Sequence, residues 1–467
     1  MIGATSRRVA WQVLHDWFCH PQDRVEPAVR QLTENHQLAG PDRGLVVELV
    51  YGVIRRHLTL DTLLSEVVRQ PLPAMEPGLI ALLRLGAYQQ VFLPDMPRHA
   101  AVHETVNVAR QIKKDRWVGI TNAVLRNISG LVEGAYAGPV AANVIPVCVH
   151  AIDPNDADDT LPLCEGLKLS KALLPDPARE SVAYLSKACS FPPRYVERRL
   201  NAVSWQIALH ECAWFNTPGR LCLRVNRLRS DRDALLSELR EAGVTCEPGE
   251  IEESIRVVGT GAIQHLAAMT EGRATLQDES AMWSARLLDP QPGECIWDVC
   301  AAPGGKTTHL AELAGDRASI LATDVSVERL DRVREACDRL RLSSIEFKTI
   351  SRHGRDMPEG SFDAVLLDVP CSNTGVMGKR PEVRWRLKSK DFRELADIQA
   401  RLLNDSAQHV KPGGRLVYST CSIDPAENQL QVASFIERHP EWTLDCERHH
   451  APGQPCDGGY AALLRRE

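Results

Sequence analysis

Residues 295–310 read CIWDVCAAPGGKTTHL: a short apolar run, a turn carrying Gly304 and Gly305, then a stretch with helical spacing. Paired glycines between a strand and a helix let a ligand approach the backbone at a helix amino end. The same alternation continues downstream. SILATDV, IEFKTI, FDAVLLDVP and GRLVYSTCS are short apolar runs, each followed by a turn or a helical stretch. Strands alternating with helices predict a doubly wound α/β domain, a parallel sheet with helices on both faces and ligands at the carboxyl ends of its strands. The glycine turn fits neither G-x-x-x-x-G-K-[ST] nor G-x-G-x-x-G, so ATP and NAD lack their usual signatures. Asp324, which ends the second strand 20 residues after Gly304, is placed to accept the hydroxyls of a ribose. Together the two features predict a cofactor that contains adenosine.

The fourth strand runs out through Asp368-Val-Pro-Cys371-Ser372 and the fifth through Ser419-Thr-Cys421-Ser422. Both ends fall on the ligand edge, so two thiols and a carboxylate should converge beside the cofactor. A thiolate beside an adenosyl cofactor suits one chemistry well. C5 of a pyrimidine is a poor nucleophile, but thiolate attack on C6 makes C5 a carbanion equivalent able to take a methyl group from S-adenosylmethionine. A carboxylate near N3 answers the charge that builds on the ring, and a base must remove the C5 proton before the thiolate leaves. The residues themselves leave open which of Cys371 and Cys421 attacks.

Outward from this core, the chain is too long for one domain at 467 residues, and its 44% apolar and 25% charged content is ordinary for a globular protein. From Arg7 to about Ser129 apolar residues recur at three- and four-residue spacing between Pro and Gly breaks, which predicts an all-α domain over 1–130. Its Arg55, Arg56, Lys113, Lys114 and Arg126 either meet phosphate or lie on a solvated face. Periodicity fades over 131–180, an acidic stretch rich in turn formers, read as a linker or insertion. Residues 181–265 read as a small α+β region, with helices in FPPRYVERRL, SWQIALHECAWF and DRDALLSELREAG and a strand in RLCLRVNRL. Arg220, Arg224, Asn226, Arg227 and Arg229 crowd that strand without an acid among them, and guanidinium forks match RNA phosphates. The α/β domain takes 266–467. The net charge of −6 argues against coating nucleic acid by bulk electrostatics. Fourteen cysteines without one Cys-x-x-Cys pair favour neither a disulfide framework nor a metal, and no metal site is expected. With no membrane-length apolar stretch and no signal-like start, a cytosolic protein without membrane contact is expected.

CAAPGGKTTHL, LLDVPCSNTGV, RPEVRW and VYSTCSIDPAENQ resemble the signature segments of the RNA 5-methylcytosine methyltransferases of the NOL1/NOP2/Sun family. RRVAWQVL, ELVYGVIRR, LLRLGAYQQVFL, HAAVHETVNVAR and TNAVLRNI resemble the NusB-like, RNA-binding domain carried by its bacterial RsmB (Sun, Fmu) branch, whose substrate is 16S ribosomal RNA; LCLRVN and residues 271–294 match the middle region of that branch. The resemblance covers nearly the whole chain except 131–180. It implies a Rossmann-like methyltransferase domain using S-adenosylmethionine, with Cys421 attacking C6, Cys371 assisting product release and Asp368 on the cytosine ring. It also implies a cofactor held by Cys300, Ala301, Ala302, Pro303, Gly304, Gly305 and Lys306, with Asp324 on the ribose and Asp368 nearby, and small-subunit ribosomal RNA as partner.

Some positions depart from that pattern. Thr349-Ile350-Ser351-Arg352 stands where an acidic turn usually meets adenine, so one polar contact is missing. Asn373 replaces a small residue and Gly378 a basic one, both expected to flank the cytosine pocket. The alternatives are a methylase of another RNA such as tRNA, or an inactive RNA-binding or ribosome-assembly factor. Methylation of an exocyclic amine fits poorly because Cys371, and no second proline, follows Pro370; a DNA cytosine methylase would attack from the Pro-Cys segment instead.

Overall fold

The computed structural model describes residues 2–150, 161–258, 263, 266–351, 356–453 and 455–467. The chain divides into two compact units, Met1–Pro218 with Met377–Arg386, and Gly219–Val376 with Leu387–Glu467. Among the described residues no helix is long and apolar enough to cross a membrane.

The first unit begins with the expected helices: α1 (Ile2–Cys19), α2 (Val25–Asn35), α3 (Gly40–Arg55), α4 (His57–Val67), α5 (Pro77–Phe92), α6 (Arg98–Gln111) and α7 (Asp115–Ser129). α5 is the centre of this bundle. It starts with Pro77 in the first turn, where a missing N–H costs nothing, and it buries nearly every side chain from Leu79 to Val91. Gly52 lets α3 approach it, since a Cβ there would stand 2.0 Å from the Tyr88 ring.

Residues 131–180 are not a plain linker. β1 (Val132–Pro139), β2 (Val144–Val149) and β3 (Leu163–Leu169) form an antiparallel sheet in the order β1-β3-β2. Past the buried Val132, β1 alternates exposed and half-buried positions, but with Gly, Ala and Tyr among them the alternation carries little apolar contrast in sequence. Most of the acidic stretch, 151–160, lies outside the described residues. α8 (Ser181–Cys189), α9 (Pro193–Leu200) and α10 (Trp205–Trp214) follow, and α8 packs on α4 while α10 packs on β2. The division between the two units comes after Pro218.

The second unit opens with β4 (Leu221–Val225), α11 (Arg232–Glu241), β5 (Cys246–Pro248), β6 (Ser254–Val257), α12 (Ala267–Thr270) and β7 (Ala274–Leu276). The four strands make an antiparallel sheet in the order β5-β6-β4-β7, and Leu235, Leu236 and Leu239 of α11 close a core with Leu223 and Ile255. Next come α13 (Glu279–Leu288), β8 (Cys295–Asp298), α14 (Gly305–Leu313), β9 (Ser319–Asp324), α15 (Val327–Leu340), β10 (Ile345–Thr349) and β11 (Phe362–Asp368). After the excursion Met377–Arg386, which carries α16 (Val383–Arg386) and belongs to the first unit, the chain returns as α17 (Ser389–Ala407), β12 (Val410–Thr420), α18 (Gln429–Arg438), β13 (Trp442–His450) and β14 (Gly459–Arg466).

Seven strands pair in the order β10-β9-β8-β11-β12-β14-β13. β8 to β12 are the five strands expected from sequence and all run parallel; β14 runs antiparallel to both its neighbours. β13 is an exposed edge strand of mostly polar residues, which hides it from a search for apolar runs. Successive residues of β8 feed opposite faces, Ile296 one core and Trp297 the other, as a sheet covered on both sides requires.

The arginine-rich strand proves structural in part. Arg224 is fully buried and clamps Glu312 of α14 through two bonds, Nε at 2.9 Å and Nη2 at 2.8 Å, while also reaching Gln277, the Gly305 carbonyl at 2.6 Å and Thr308 at 2.9 Å. Asn226 is equally buried and donates to the carbonyls of Gly272 and Leu340. Neither side chain is open to an RNA backbone. Arg55 and Arg56 are likewise interior: Arg55 donates to the Gly378 carbonyl, and Arg56 to Pro146 while it stacks over Phe92. Arg224→Ala, which strands the buried Glu312 carboxylate, is expected to cost about 3–5 kcal/mol in urea unfolding. Arg227→Ala, at an exposed pair with Glu252, is expected to cost less than about 1 kcal/mol. Equal urea midpoints for the two variants would refute the structural role of Arg224.

Candidate active site

The carboxyl ends of β8, β9, β11 and β12 build the site. β8 ends at Asp298 and turns through residues 299–304 into α14. Gly304 makes the turn with φ +100°, and a Cβ there would meet Val333 at 2.9 Å, so glycine is required twice over. The turn is pinned by Ala301 N–H to Thr323 O, Gly304 N–H to Ala301 O, and Arg329 donating to Ala302 O at 2.9 Å. The Cys300 thiol is half-buried, and burial raises it far beyond reactivity, which marks it as packing.

Three carboxyl groups gather here. Asp298 is buried; its Oδ2 accepts from Thr307 at 2.7 Å, and its Oδ1 has no hydrogen-bond partner among the described residues. Burial pushes its carboxyl up to about 7, against the pull of the Thr307 hydrogen bond and with the help of the charge on Asp368. Asp324 closes β9, is buried, accepts from Ser326 N–H at 3.2 Å and pairs with Arg329 at 3.2 Å. Asp368 closes β11 with Oδ1 accepting from Ser419 at 2.9 Å and Oδ2 on the Lys306 ammonium at 2.7 Å. Burial works against the Lys306 charge, but Asp368 outweighs it and raises Lys306 above the ordinary lysine value, with Cys421 adding to the effect. Such an edge attracts a cation and repels phosphate. Ile350, also buried, offers only backbone here, its N–H donating to the Asp324 carbonyl. Arg352 lies outside the described residues.

The β11–β12 register sets Asp368 opposite Ser419. The chain then needs only three residues past Asp368, and two past Ser419, to bring the Cys371 and Cys421 sulfurs within 3.2 Å of each other. They are not equivalent. The hydrogen bond with Cys421 raises the Cys371 thiol well above the ordinary range, and burial adds to it. Cys371 therefore keeps its proton beside Cys421. Asn373, two residues on, donates from Nδ2 to the Cys371 carbonyl at 2.8 Å and accepts from the Cys421 thiol on Oδ1 at 3.3 Å.

Beneath the thiols lies Glu427, fully buried. Its carboxylate accepts from Ser372 N–H at 2.9 Å, the Ser372 hydroxyl, the Ser422 hydroxyl at 2.5 Å and Gln399 Nε2 at 2.9 Å. Ser422 and Thr374 bond at 2.9 Å, and Gly375 N–H donates to Cys421 O, so both thiol loops are tied to one acid. Sequence reasoning assigned no role to Glu427, Gln399 or Asp298. The signal available for Glu427 was its position in the quoted segment, six residues after Cys421.

Cys371, Cys421, Asp368 and Lys306 thus meet, with the Cys300–Gly305 turn and Asp324 on the same sheet edge. Gly378 is grouped with the first unit, where a Cβ on it would stand 3.7 Å from the Phe215 Cα. Nor do the five polar residues from Arg220 to Arg229 form one surface, since Arg220 and Arg227 are exposed, Arg229 is half-buried, and Arg224 and Asn226 are interior. In the first unit, Lys113 and Arg126 are exposed, and Arg126 lines a groove of about 510 Å³ between α6 and α7 with Arg98, His99, His103 and Arg110.

Residues 285–459 match the family model for 16S rRNA methyltransferase RsmB/F, residues 4–130 the NusB family, and residues 204–264 the ferredoxin-like domain of RsmF/B-like methyltransferases. The chain is 34% identical over 444 residues to "Probable ribosomal RNA small subunit methyltransferase B" of Synechocystis sp., across 94% of this chain and 90% of that one. It is 33% identical over 435 residues to the ribosomal RNA small subunit methyltransferase B of Klebsiella pneumoniae, across 91% and 88%. The crystal structure of a methyltransferase homolog protein from Pyrococcus horikoshii superposes with a TM-score of 0.55 at 25% identity, covering 62% of this chain and 99% of that one. Identity at this level along nine-tenths of the sequence means that the chain is a methyltransferase and belongs to the ribosomal RNA small subunit methyltransferase B family.

Proposed function

We propose that this protein is a cytoplasmic enzyme that methylates C5 of a cytosine in 16S ribosomal RNA, using S-adenosylmethionine and a transient bond between Cys421 and C6. The observation that carries the reading is the pair of sulfurs 3.2 Å apart, with the Cys371 thiol held protonated, at the edge of a sheet where a cationic cofactor is favoured. The names of the relatives support the RNA.

The residues fit the cofactor. The buried Asp298 Oδ1 without a partner, Asp324 at the end of β9 and the glycine turn at Gly304 offer negative charge and close backbone approach to a sulfonium and a ribose. Bound S-adenosylmethionine supplies an electrophilic methyl group. The Cys421 thiolate forms a bond to C6, and the electron pair of the C5=C6 bond moves toward C5. The Lys306–Asp368 pair brings a proton to the ring edge where negative charge gathers. C5, made electron-rich in this way, would accept the methyl group that the bound cofactor supplies. Transfer of the C5 proton to a water molecule acting as base restores the double bond and expels the Cys421 thiolate, which the neighbouring Cys371 thiol stabilises by hydrogen bonding.

The first test is transfer of labelled methyl to protein-free small-subunit RNA, with the nucleoside identified by mass spectrometry. Labelled 5-methylcytidine supports the reading; loss of both transfer and cofactor binding would favour an inactive binding factor. Cys421→Ala is expected to abolish transfer and form no RNA adduct. Cys371→Ala is expected to form the adduct but release it slowly, leaving a protein–RNA band on a denaturing gel. The reverse pattern would exchange the two roles.

The cofactor should bind more tightly as pH rises from 6 to 8. With its carboxyl near 7, Asp298 is largely protonated below that pH, and a bound cation favours the ionised form, so binding releases a proton. Calorimetry in buffers of different ionisation enthalpy reads that release directly; proton uptake would contradict it. In the first unit, Arg110→Glu with Arg126→Glu, on the α6–α7 groove, is expected to weaken RNA binding about tenfold or more and to flatten its salt dependence. Filter binding across a salt series would show it, and an unchanged slope would remove the groove from the RNA surface.

A further inference from the structure

Asn373 sits in the left-handed region at φ +59°, beside the two thiols. That conformation excludes most side chains; glycine takes it freely, and asparagine is among the few others that tolerate it. An asparagine there brings into the site an amide that glycine would not supply. The amide's orientation follows from its partners. The Cys371 carbonyl 2.8 Å away can only accept, so Nδ2 must face it, and Oδ1 is left 3.3 Å from the Cys421 sulfur. An amide oxygen accepts a proton from S–H and has none to give to S⁻, so the contact favours the thiol over the thiolate.

We propose that Asn373 is a further catalytic residue of this chain: its amide oxygen holds the Cys421 proton in the resting enzyme and so delays formation of the nucleophile to higher pH. The inference rests on Cys421 being the attacking thiol, as read above. The charged and titratable groups around Cys421 come from several elements: Lys306 on α14, Asp368 and Cys371 at and beyond the end of β11, and Asp424 and Glu427 after β12. Lys306 favours the thiolate and the carboxylates oppose it. All of them are unchanged when the amide alone is removed.

Asn373→Gly is the informative variant, because glycine keeps φ positive while deleting the amide. Asn373→Asp keeps the shape and puts an acid where the amide oxygen was. The measurement is alkylation of Cys421 in the full-length protein by iodoacetamide between pH 6 and 10, read at the Cys421 peptide by mass spectrometry without RNA or cofactor. The midpoint, and not the rate, reports ionisation. For Asn373→Gly the midpoint is expected to fall by about half a pH unit or more, equivalent to roughly threefold more thiolate at pH 7. For Asn373→Asp it is expected to rise. The acid limb of kcat/KM for methyl transfer should move in the same directions.

A wild-type midpoint in Asn373→Gly, or a higher one, overturns the proposal. If the glycine variant does not fold, the aspartate variant decides alone, since an unchanged or lowered midpoint there is equally fatal. Failure of the underlying reading looks different: Cys421→Ala would keep its methyl transfer, while the alkylation shifts of the Asn373 variants would be unaffected.

Discussion

The buried carboxylate of Glu427 is the constraint on which the site hangs. Among the described residues it has no cationic partner; its charge is held by the Ser372 backbone, two serine hydroxyls and the Gln399 amide, drawn from both thiol loops and from α17. A buried acid held in this way is costly to leave unmatched, so each donor is locked in place by the others. Cys371 and Cys421 sit one residue before the two serines. Their sulfur separation is thus a consequence of the bonds below them, together with the parallel register that pairs Asp368 with Ser419.

The electrostatics divide along the same edge. On the β8 and β9 side lie two acids, Asp324 paired with Arg329 and Asp298 so deeply enclosed that it has lost its preference for the ionised form. On the β11 and β12 side, Lys306 is committed to Asp368 and also acts on Cys421. One edge thereby offers a place for a cation and a place for a nucleophile, separated by an ion pair that can serve the substrate ring. The unequal thiols follow from contact, because two sulfurs this close cannot both ionise.

Arginines illustrate how little a residue type says about its place. Arg384, in the RPEVRW segment, is fully buried in the first unit, where it lies over Phe191 and donates to Asn216 and to the carbonyls of Phe215, Ser190, Arg55 and Met377. Arg224 does similar work in the second unit with Glu312. In sequence such residues look like candidates for phosphate. Their long stems and five donors also make them fit to satisfy several interior carbonyls at once, and only packing separates the two uses.

The sequence by itself determined the strand and helix alternation from Cys295 to Thr420, the glycine turn at Gly304, the helical character of the first 130 residues, and the two thiols with Asp324 and Asp368 at the strand ends. These rest on local patterns: apolar periodicity, backbone permissiveness at glycine and the fixed geometry of a doubly wound sheet. Its antiparallel end at β14, the sheet built from β1 to β3, and the membership of Met377–Arg386 in the first unit were decided by tertiary structure. So were the interior positions of Arg55, Arg56, Arg224 and Asn226, the link from Glu427 to both thiols, and the inequality of Cys371 and Cys421. Each of these depends on which groups meet across long stretches of chain and on how far water is excluded from them, and neither is written in the spacing of neighbouring residues.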